Sequence, residues 1–294
     1  MIPRIIRTAL SAIAGLALSA GLFAQAPAAK IAFPDASPAA SFKQRVGLTD
    51  IEVEYSRPSM HGRKIFGGLE PYGAVWRSGA NTATKVTFST AVKFGGVDVP
   101  AGSYALFSIP GADEWTVILN KVVGQWGAYA YDAANDVARA KVKPTALPTP
   151  VETFGIGVAD IGNDTATFYL VWENTRVPVK ISVDVVGVLV PQIEAVMASN
   201  AEKKPYFPAA MFYYANNLDL TKAVAWMDAG IAEQPNAFWM IYRKGLILAK
   251  KGDKAGAIAA AQKSIELVNA DAKNPPSIKD EYLRLNNALI ASQH

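Results

Sequence analysis

Residues 86–109 read VTFSTAVKFGGVDVPAGSYALFSI, and this segment indicates the fold more directly than any other part of the sequence. Apolar and polar residues alternate in short runs, as they do in β-strands that bury one face. Gly95-Gly96 separates two of these runs and predicts a two-residue hairpin, because glycine tolerates the positive φ of the favoured turns. Pro100-Ala101-Gly102 predicts another turn before the next strand. The segment therefore predicts antiparallel β-structure.

The same pattern continues on both sides of this segment. No helical pattern separates the runs, although a parallel sheet would require helices between its strands. We therefore predict an all-β antiparallel sandwich or barrel over residues 49–187. The further predicted strands are Ile51–Tyr55, Trp115–Asn120, Val137–Val142, Val151–Val158, Thr165–Trp172 and Val177–Val185.

The pattern changes to a helical period near Pro191, where alanine-rich segments carry large apolar residues at spacings of three and four. A repeat of about 34 residues then predicts an all-α domain of tetratricopeptide-like helical hairpins over residues 190–294. The alternative is a set of helical hairpins that share a length by chance. The aligned positions are Tyr214-Ala215 with Leu248-Ala249, Asp219 with Asp253, Ala223 with Ala257, and Ile231 with Ile265.

The N-terminus has the organisation of a signal peptide. Arg4 and Arg7 precede an apolar run from Ala9 to Phe23, and Ala24 and Ala26 have the spacing that signal peptidase favours. The alternative, an uncleaved anchor, is less consistent with an apolar run shorter than the usual span of about 20 residues. We predict a signal peptide at 1–26, a flexible lead-in at 27–48, a periplasmic or extracellular location, and no integral membrane segment after cleavage.

Composition restricts the possible functions. The chain has 294 residues, 51% of them hydrophobic and 18% charged, which is enough for two globular domains. It contains no cysteine, which excludes disulfides, a thiolate nucleophile and cysteine metal sites. The net charge of +4 is small for a chain of this length and predicts no nucleic-acid partner.

A candidate ligand site lies in residues 55–81, YSRPSMHGRKIFGGLEPYGAVWRSGAN. Arginine presents a planar fork that suits carboxylate or phosphate, aromatic rings stack on sugars, and the many glycines let a long loop fold tightly. We therefore expect a small anionic or carbohydrate ligand. The structural alternative is that Arg77 pairs with Glu54 or Glu173 and Trp76 fills one end of the sandwich. The predicted ligand-binding residues are Arg57, His61, Arg63, Lys64, Trp76, Arg77 and Asn81.

No catalytic residue, metal site or cofactor is predicted. His61 is the only histidine before the last residue, so a zinc site lacks ligands. Asp132, Asn135 and Asp136 offer only a loose spacing for calcium, and such turns also form for conformational reasons. The alternative function is an envelope hydrolase acting on glycans or esters, with Asp132 or Glu173 as the acid and His61 as an accessory group.

Several further aromatic residues suggest a carbohydrate platform or the sandwich core. Sandwiches bury aromatic side chains at alternate strand positions, so we expect three of the four to lie in the core. These residues are Trp115, Trp126, Tyr129 and Tyr131.

Long strings of the sequence resemble the secreted bacterial proteins grouped as domain of unknown function 2911. The resemblance implies an exported β-rich domain and no established reaction. We accordingly predict a non-enzymatic module that binds a ligand or partner, with a helical tail that either supports the β-domain or offers a surface to a second protein. The strings are SRPSMHGRKIFGGLEPYGAVWRSGANTATKVTFS (56–89), PAGSYALFSIP (100–110), EWTVILNK (114–121), QWGAYAYD (125–132), DVARAKV (136–142) and LVWE (170–173).

Overall fold

The computed structural model describes residues 33–294, so the predicted signal peptide at 1–26 and the first residues of the lead-in lie outside the described residues. The described chain forms ten strands followed by six helices. The strands are β1 (Ala39–Val46), β2 (Thr49–Ser56), β3 (Thr84–Phe88), β4 (Val92–Phe94), β5 (Val97–Val99), β6 (Gly102–Ile109), β7 (Trp115–Asn120), β8 (Asp136–Val142), β9 (Thr145–Ala159) and β10 (Thr165–Val183). The helices are α1 (Val185–Ala198), α2 (Tyr206–Ala215), α3 (Leu220–Glu233), α4 (Phe238–Lys251), α5 (Lys254–Ala270) and α6 (Pro276–Ala291).

The ten strands form two antiparallel sheets that enclose an apolar core. One sheet has the strand order β1-β2-β3-β6-β7-β8, and the other has the order β5-β4-β10-β9. Alternate residues of β2, namely Ile51, Val53 and Tyr55, are buried, while Glu52 and Glu54 between them are not. The predicted all-β domain is therefore confirmed, with one face of each sheet packed against the core.

The hairpin predicted at Gly95-Gly96 is present between β4 and β5. Phe94 pairs with Val97, and the two glycines have φ values of 58° and 88°. A side chain at position 95 would also collide with Ala140 of β8, which belongs to the other sheet. Glycine is thus required here for both the turn and the close approach of the two sheets.

Residues 39–46 differ from the expected flexible lead-in. They form β1, which pairs with β2 along its whole length, from Ala39 opposite Ser56 to Val46 opposite Thr49. β1 lies at the edge of its sheet, and Val46 is its only fully buried residue. Small and polar residues are therefore tolerated along it, and the composition gives little sign of a strand. The expected strands 165–172 and 177–185 are also one strand, β10, with irregular pairing around Glu173.

The chain from Val185 to Ala291 forms the predicted helical hairpins. Asp219 and Asp253, related by the repeat, each accept backbone N–H bonds at the first turn of α3 and α5 respectively. Ala223 and Ala257 are both fully buried where helices cross. The helical region starts earlier than expected, since α1 begins at Val185 and contains Pro191. None of the helices within residues 33–294 is long and apolar enough to span a membrane.

Candidate functional site

The long connection between β2 and β3, residues 57–83, closes one end of the sandwich. Backbone hydrogen bonds hold it to other strands at several points. Trp76 exchanges two bonds of 2.8 Å with Ser108 of β6. The N–H of Met60 donates to the carbonyl of Glu152 in β9 over 2.8 Å. The connection is irregular but attached to both sheets, as expected for a loop that carries a site on a rigid scaffold.

Trp76 belongs to the core and not to a ligand surface. Its side chain is 2% exposed and stacks on Trp172 with ring centroids 5.9 Å apart. Phe66 and Phe154 meet the same ring edge-on, and the indole Nε1 donates to the carbonyl of Gly79 over 3.1 Å. Trp76 therefore fills one end of the sandwich, which is the structural alternative given for it above.

Three of the seven predicted residues, His61, Arg63 and Arg77, lie around one cavity of about 520 Å³. Glu70 joins them. The cavity has the size of many small-molecule sites, which span about 300–1,000 Å³. Its remaining lining residues are Ala36, Ser37, Pro58, Ser59, Leu69, Gly79, Ala80 and Trp172.

Arg77 is the least satisfied polar side chain of this cavity. It is half-buried, and its Nε is fully buried with no hydrogen-bond partner among residues 33–294. A buried donor without a partner costs about 1–3 kcal/mol, so such groups in native proteins call for an explanation. Because this atom is closed to solvent, a ligand in the cavity would contact the other nitrogens of the guanidinium and not Nε itself.

Neither of the ion pairs expected for Arg77 in the structural alternative is found. Glu54 pairs with Lys85 on the neighbouring strand. Glu173 accepts a hydrogen bond from the N–H of Phe66 over 3.4 Å. Glu54 is directed outward by the alternation of β2, and Glu173 lies at an irregularity in the pairing of β9 and β10, so neither carboxylate lines the cavity. This leaves the Arg77 guanidinium beside Glu70.

Glu70 is an ionisable group that sequence reasoning missed. Burial raises the pKa of its carboxyl to about 7, although the positive charge of Arg77 acts in the opposite direction. Its backbone is fixed by a bond from its N–H to the carbonyl of Ile65 and by one from the N–H of Gly67 to its own carbonyl, each of 2.9 Å. At neutral pH the cavity thus holds a carboxyl group close to half-protonation.

Arg63 and His61 lie at the mouth of the cavity. Arg63 is exposed, and its guanidinium donates to the carbonyls of Met60 and Ser59 over 2.8 and 2.6 Å, which holds the side chain along its own turn. The backbone N–H of His61 donates to the Glu152 carboxylate over 2.8 Å. These bonds restrain both residues before any ligand arrives.

The other predicted residues lie outside the cavity lining. Arg57 donates from Nε to the carbonyl of Phe154 over 2.9 Å, and Lys64 is exposed. Asn81 has a left-handed backbone with φ 59°, and its side-chain amide donates to the Ser56 hydroxyl over 3.3 Å. These bonds tie Arg57 and Asn81, near the two ends of the loop, to β9 and β2 respectively.

In the acidic turn considered for calcium, Asp132 and Asp136 accept hydrogen bonds from groups of the protein itself. Asp132 caps a short 3₁₀ turn by accepting from the N–H of Ala134. Asp136 accepts from Asn120, Tyr131 and Arg139 over 2.9, 2.6 and 2.6 Å. Within the described part of the chain, no three His, Cys, Asp or Glu side chains are grouped as metal ligands would be.

The expectation that three of four aromatic residues belong to the core is wrong. Trp115 is buried and Tyr131 is partly buried against Phe107. Trp126 and Tyr129 are 66% and 90% exposed. The difference arises because these two residues lie in the connection between β7 and β8, and not on a strand whose alternate positions face the core.

We expect Glu70→Gln to change the pH dependence of stability. The raised pKa means that the folded state holds a proton that the unfolded chain releases near pH 4.5, so stability falls as the pH rises from about 4.5 to 7. The variant should lose this component and be more stable relative to wild type at pH 8 than at pH 5. Urea unfolding at pH 5 and pH 8 measures the stability of the variant relative to wild type. The control is Glu202→Gln, which changes an exposed carboxyl. Equal shifts at both values would contradict the buried-carboxyl assignment.

Together, these features define an antiparallel β-sandwich protein with an arginine-lined cavity at one end. Residues 37–181 match the model of the family described as "Protein of unknown function (DUF2911)". The chain belongs to this family through its β-domain, and the match includes the whole loop that forms the cavity. No curated protein and no solved structure matches the chain.

Proposed function

We propose that this chain is an exported binding protein whose arginine-lined cavity holds a small anion with a carboxylate or phosphate group. The observation that carries the proposal is the half-buried Arg77 side chain, which lines the cavity and whose hydrogen-bonding capacity is not filled within residues 33–294. The guanidinium fork matches the two oxygens of such a group, and charge-assisted hydrogen bonds are the stronger kind. Export rests on the predicted signal peptide. A protein partner for the helical hairpins stays a prediction.

The charges around the cavity favour an anion and make its binding depend on pH. Arg63 and Arg77 are cationic, whereas Glu70 is mostly protonated below its pKa of about 7. A protonated carboxyl donates a hydrogen bond to an anion, but an ionised one repels it. We therefore expect tighter anion binding at pH 6 than at pH 8, and a smaller difference in Glu70→Gln. His61 also lines the cavity, so His61→Gln measures its separate contribution.

The decisive variant is Arg77→Ala. Loss of a charge-assisted hydrogen bond costs about 1.5–3 kcal/mol, which corresponds to roughly 10- to 100-fold weaker binding. The measurement is isothermal titration of the protein with inorganic phosphate, succinate and citrate. Arg77→Lys keeps the charge without the fork and should bind with intermediate affinity.

The matched control is Arg284→Ala, which removes an exposed arginine from α6 and should leave binding unchanged. Thermal unfolding of each variant establishes that it is folded. The proposal is wrong if none of the three anions binds the wild type, or if Arg77→Ala binds them as well as wild type does.

A second candidate, hydrolysis, is favoured by one observation: a carboxyl with a pKa of about 7 can act as a general acid or base at neutral pH. The candidate acids Asp132 and Glu173 do not line this cavity, so Glu70 replaces them in this role. Glycoside hydrolysis of the usual kind needs two carboxylates, which favours esters over glycans. Hydrolysis of p-nitrophenyl esters that disappears in Glu70→Gln would support this candidate.

A further inference from the structure

A second surface of the β-domain has the character of a binding site. Trp126 and Tyr129 project from the connection between β7 and β8 and are 66% and 90% exposed. Val122 and Val123 of the same connection are also exposed. Scattered exposed apolar side chains are common, but several that lie together in one segment form the kind of patch that marks interaction sites. The exposed group is therefore a candidate for contact with another molecule.

The chain holds these aromatic residues in fixed positions. The N–H of Gly127 donates to the carbonyl of Asn81 over 3.0 Å, and the N–H of Ala83 donates to the carbonyl of Gln125 over 2.8 Å. These bonds flank a β-bridge between Thr82 and Trp126. A ring presented from such a restrained backbone loses little conformational entropy when it binds a ligand. The surface is preorganised.

The same connection forms one wall of a cavity of about 550 Å³ through Gly124. The opposite walls come from β1, β2 and the start of β3, and their polar groups include Ser41, Ser56 and Thr82. Glu54 and Lys85 also line it but neutralise each other as an ion pair. The cavity therefore offers hydroxyl groups and paired charges without a net charge of its own.

We propose that Trp126, Tyr129 and the adjoining cavity form a binding site for a neutral oligosaccharide. The C–H groups of a pyranose ring give it an apolar face that packs on an aromatic side chain. Its hydroxyl groups need donors and acceptors, which the cavity provides. The lining carries no net charge, which disfavours an anionic ligand, and it combines hydroxyl groups with apolar side chains, which suits the mixed surface of a sugar. This site is distinct from the arginine-lined cavity and does not depend on its function.

The test is isothermal titration calorimetry of the full chain with cellohexaose, chitohexaose and maltohexaose. At least one of them should bind wild type, and Trp126→Ala should weaken that binding about tenfold or more. Trp126→Phe retains a ring and should lose less. Trp239→Ala, which removes a tryptophan that is 38% exposed in the helical region, should bind like wild type, and so should Arg77→Ala.

Vesicle sedimentation separates this proposal from a membrane contact, since exposed tryptophan and tyrosine also favour bilayer interfaces. Wild type should not sediment with vesicles of phosphatidylethanolamine and phosphatidylglycerol. Sedimentation that requires Trp126 would overturn the proposal. So would the absence of binding to all three oligosaccharides, or equal binding by wild type and Trp126→Ala, provided that thermal unfolding shows both proteins folded.

Discussion

Replacing Trp76 by alanine is expected to lower the free energy of unfolding by about 3–5 kcal/mol, the range for a large aromatic residue in a core. The ring is 2% exposed and packs among Phe66, Phe154 and Trp172. Its removal leaves a space that these rigid rings cannot fill, and it also leaves the carbonyl of Gly79 without its indole donor. The loss should be large because packing and a buried hydrogen bond are removed together.

Urea unfolding followed by circular dichroism measures this change. The control is Trp239→Ala, whose side chain is 38% exposed and should lower the free energy of unfolding clearly less than Trp76→Ala does. Trp76→Phe keeps a ring in place and should fall between the two variants, which preserves the comparison if Trp76→Ala does not fold. Similar losses for Trp76→Ala and Trp239→Ala would show that Trp76 does not hold the sandwich together.

The second large effect is expected at Asp136, where alanine should cost about 1.5–3 kcal/mol. The Asp136 side chain is 6% exposed and accepts hydrogen bonds from Asn120, Tyr131 and Arg139. Asn120 is fully buried, so its amide would lose an acceptor that water cannot replace. Asn120 keeps its bond to the Asp132 carbonyl and Arg139 is exposed to water, so the loss comes mainly from the buried bonds of Asn120 and Tyr131 to Asp136.

Two measurements test the role of Asp136. Asp98→Ala, which breaks the exposed pair with Lys93, is the control and should cost at most about 1 kcal/mol. Burial, followed by the bond to Asp136, raises the pKa of Tyr131 to about 12. Loss of Asp136 should therefore lower the Tyr131 pKa in an ultraviolet titration. An unchanged Tyr131 titration together with a small stability loss would contradict this assignment.

The sandwich was predictable because its signal is local. Alternation in β2 and the glycine pair at 95 and 96 each predict structure from adjacent residues, and both predictions are confirmed. β1 was missed because its four inward-facing residues, Ala40, Phe42, Gln44 and Val46, include only two large apolar side chains, which is a weak hydrophobic signal. Its strand state depends on pairing with β2, and sequence spacing along β1 alone does not show that pairing.

The cavity was only partly predictable, because some of its features depend on residues that are far apart in the sequence. Arg63 and Arg77 were recognised by their chemistry, and the fold brings both to the cavity lining. Glu70 has no distinguishing neighbours in the sequence, and its raised pKa arises from burial by the folded loop. Trp76 was misassigned as a ligand contact because its environment comes from Trp172, on a strand far along the chain.

The position of β1 has a consequence for how the protein acquires its function. Ala36 and Ser37, just before β1, line the arginine-lined cavity, while Ala39, Ala40 and Ser41 line the cavity beside Trp126. Both cavities are therefore completed by a segment near the start of the described chain. A shortened chain that begins at Thr49 would keep the other nine strands but lack a wall of each cavity. Truncation or tagging at the N-terminus is therefore expected to alter both cavities, because residues 36–41 supply part of the wall of each.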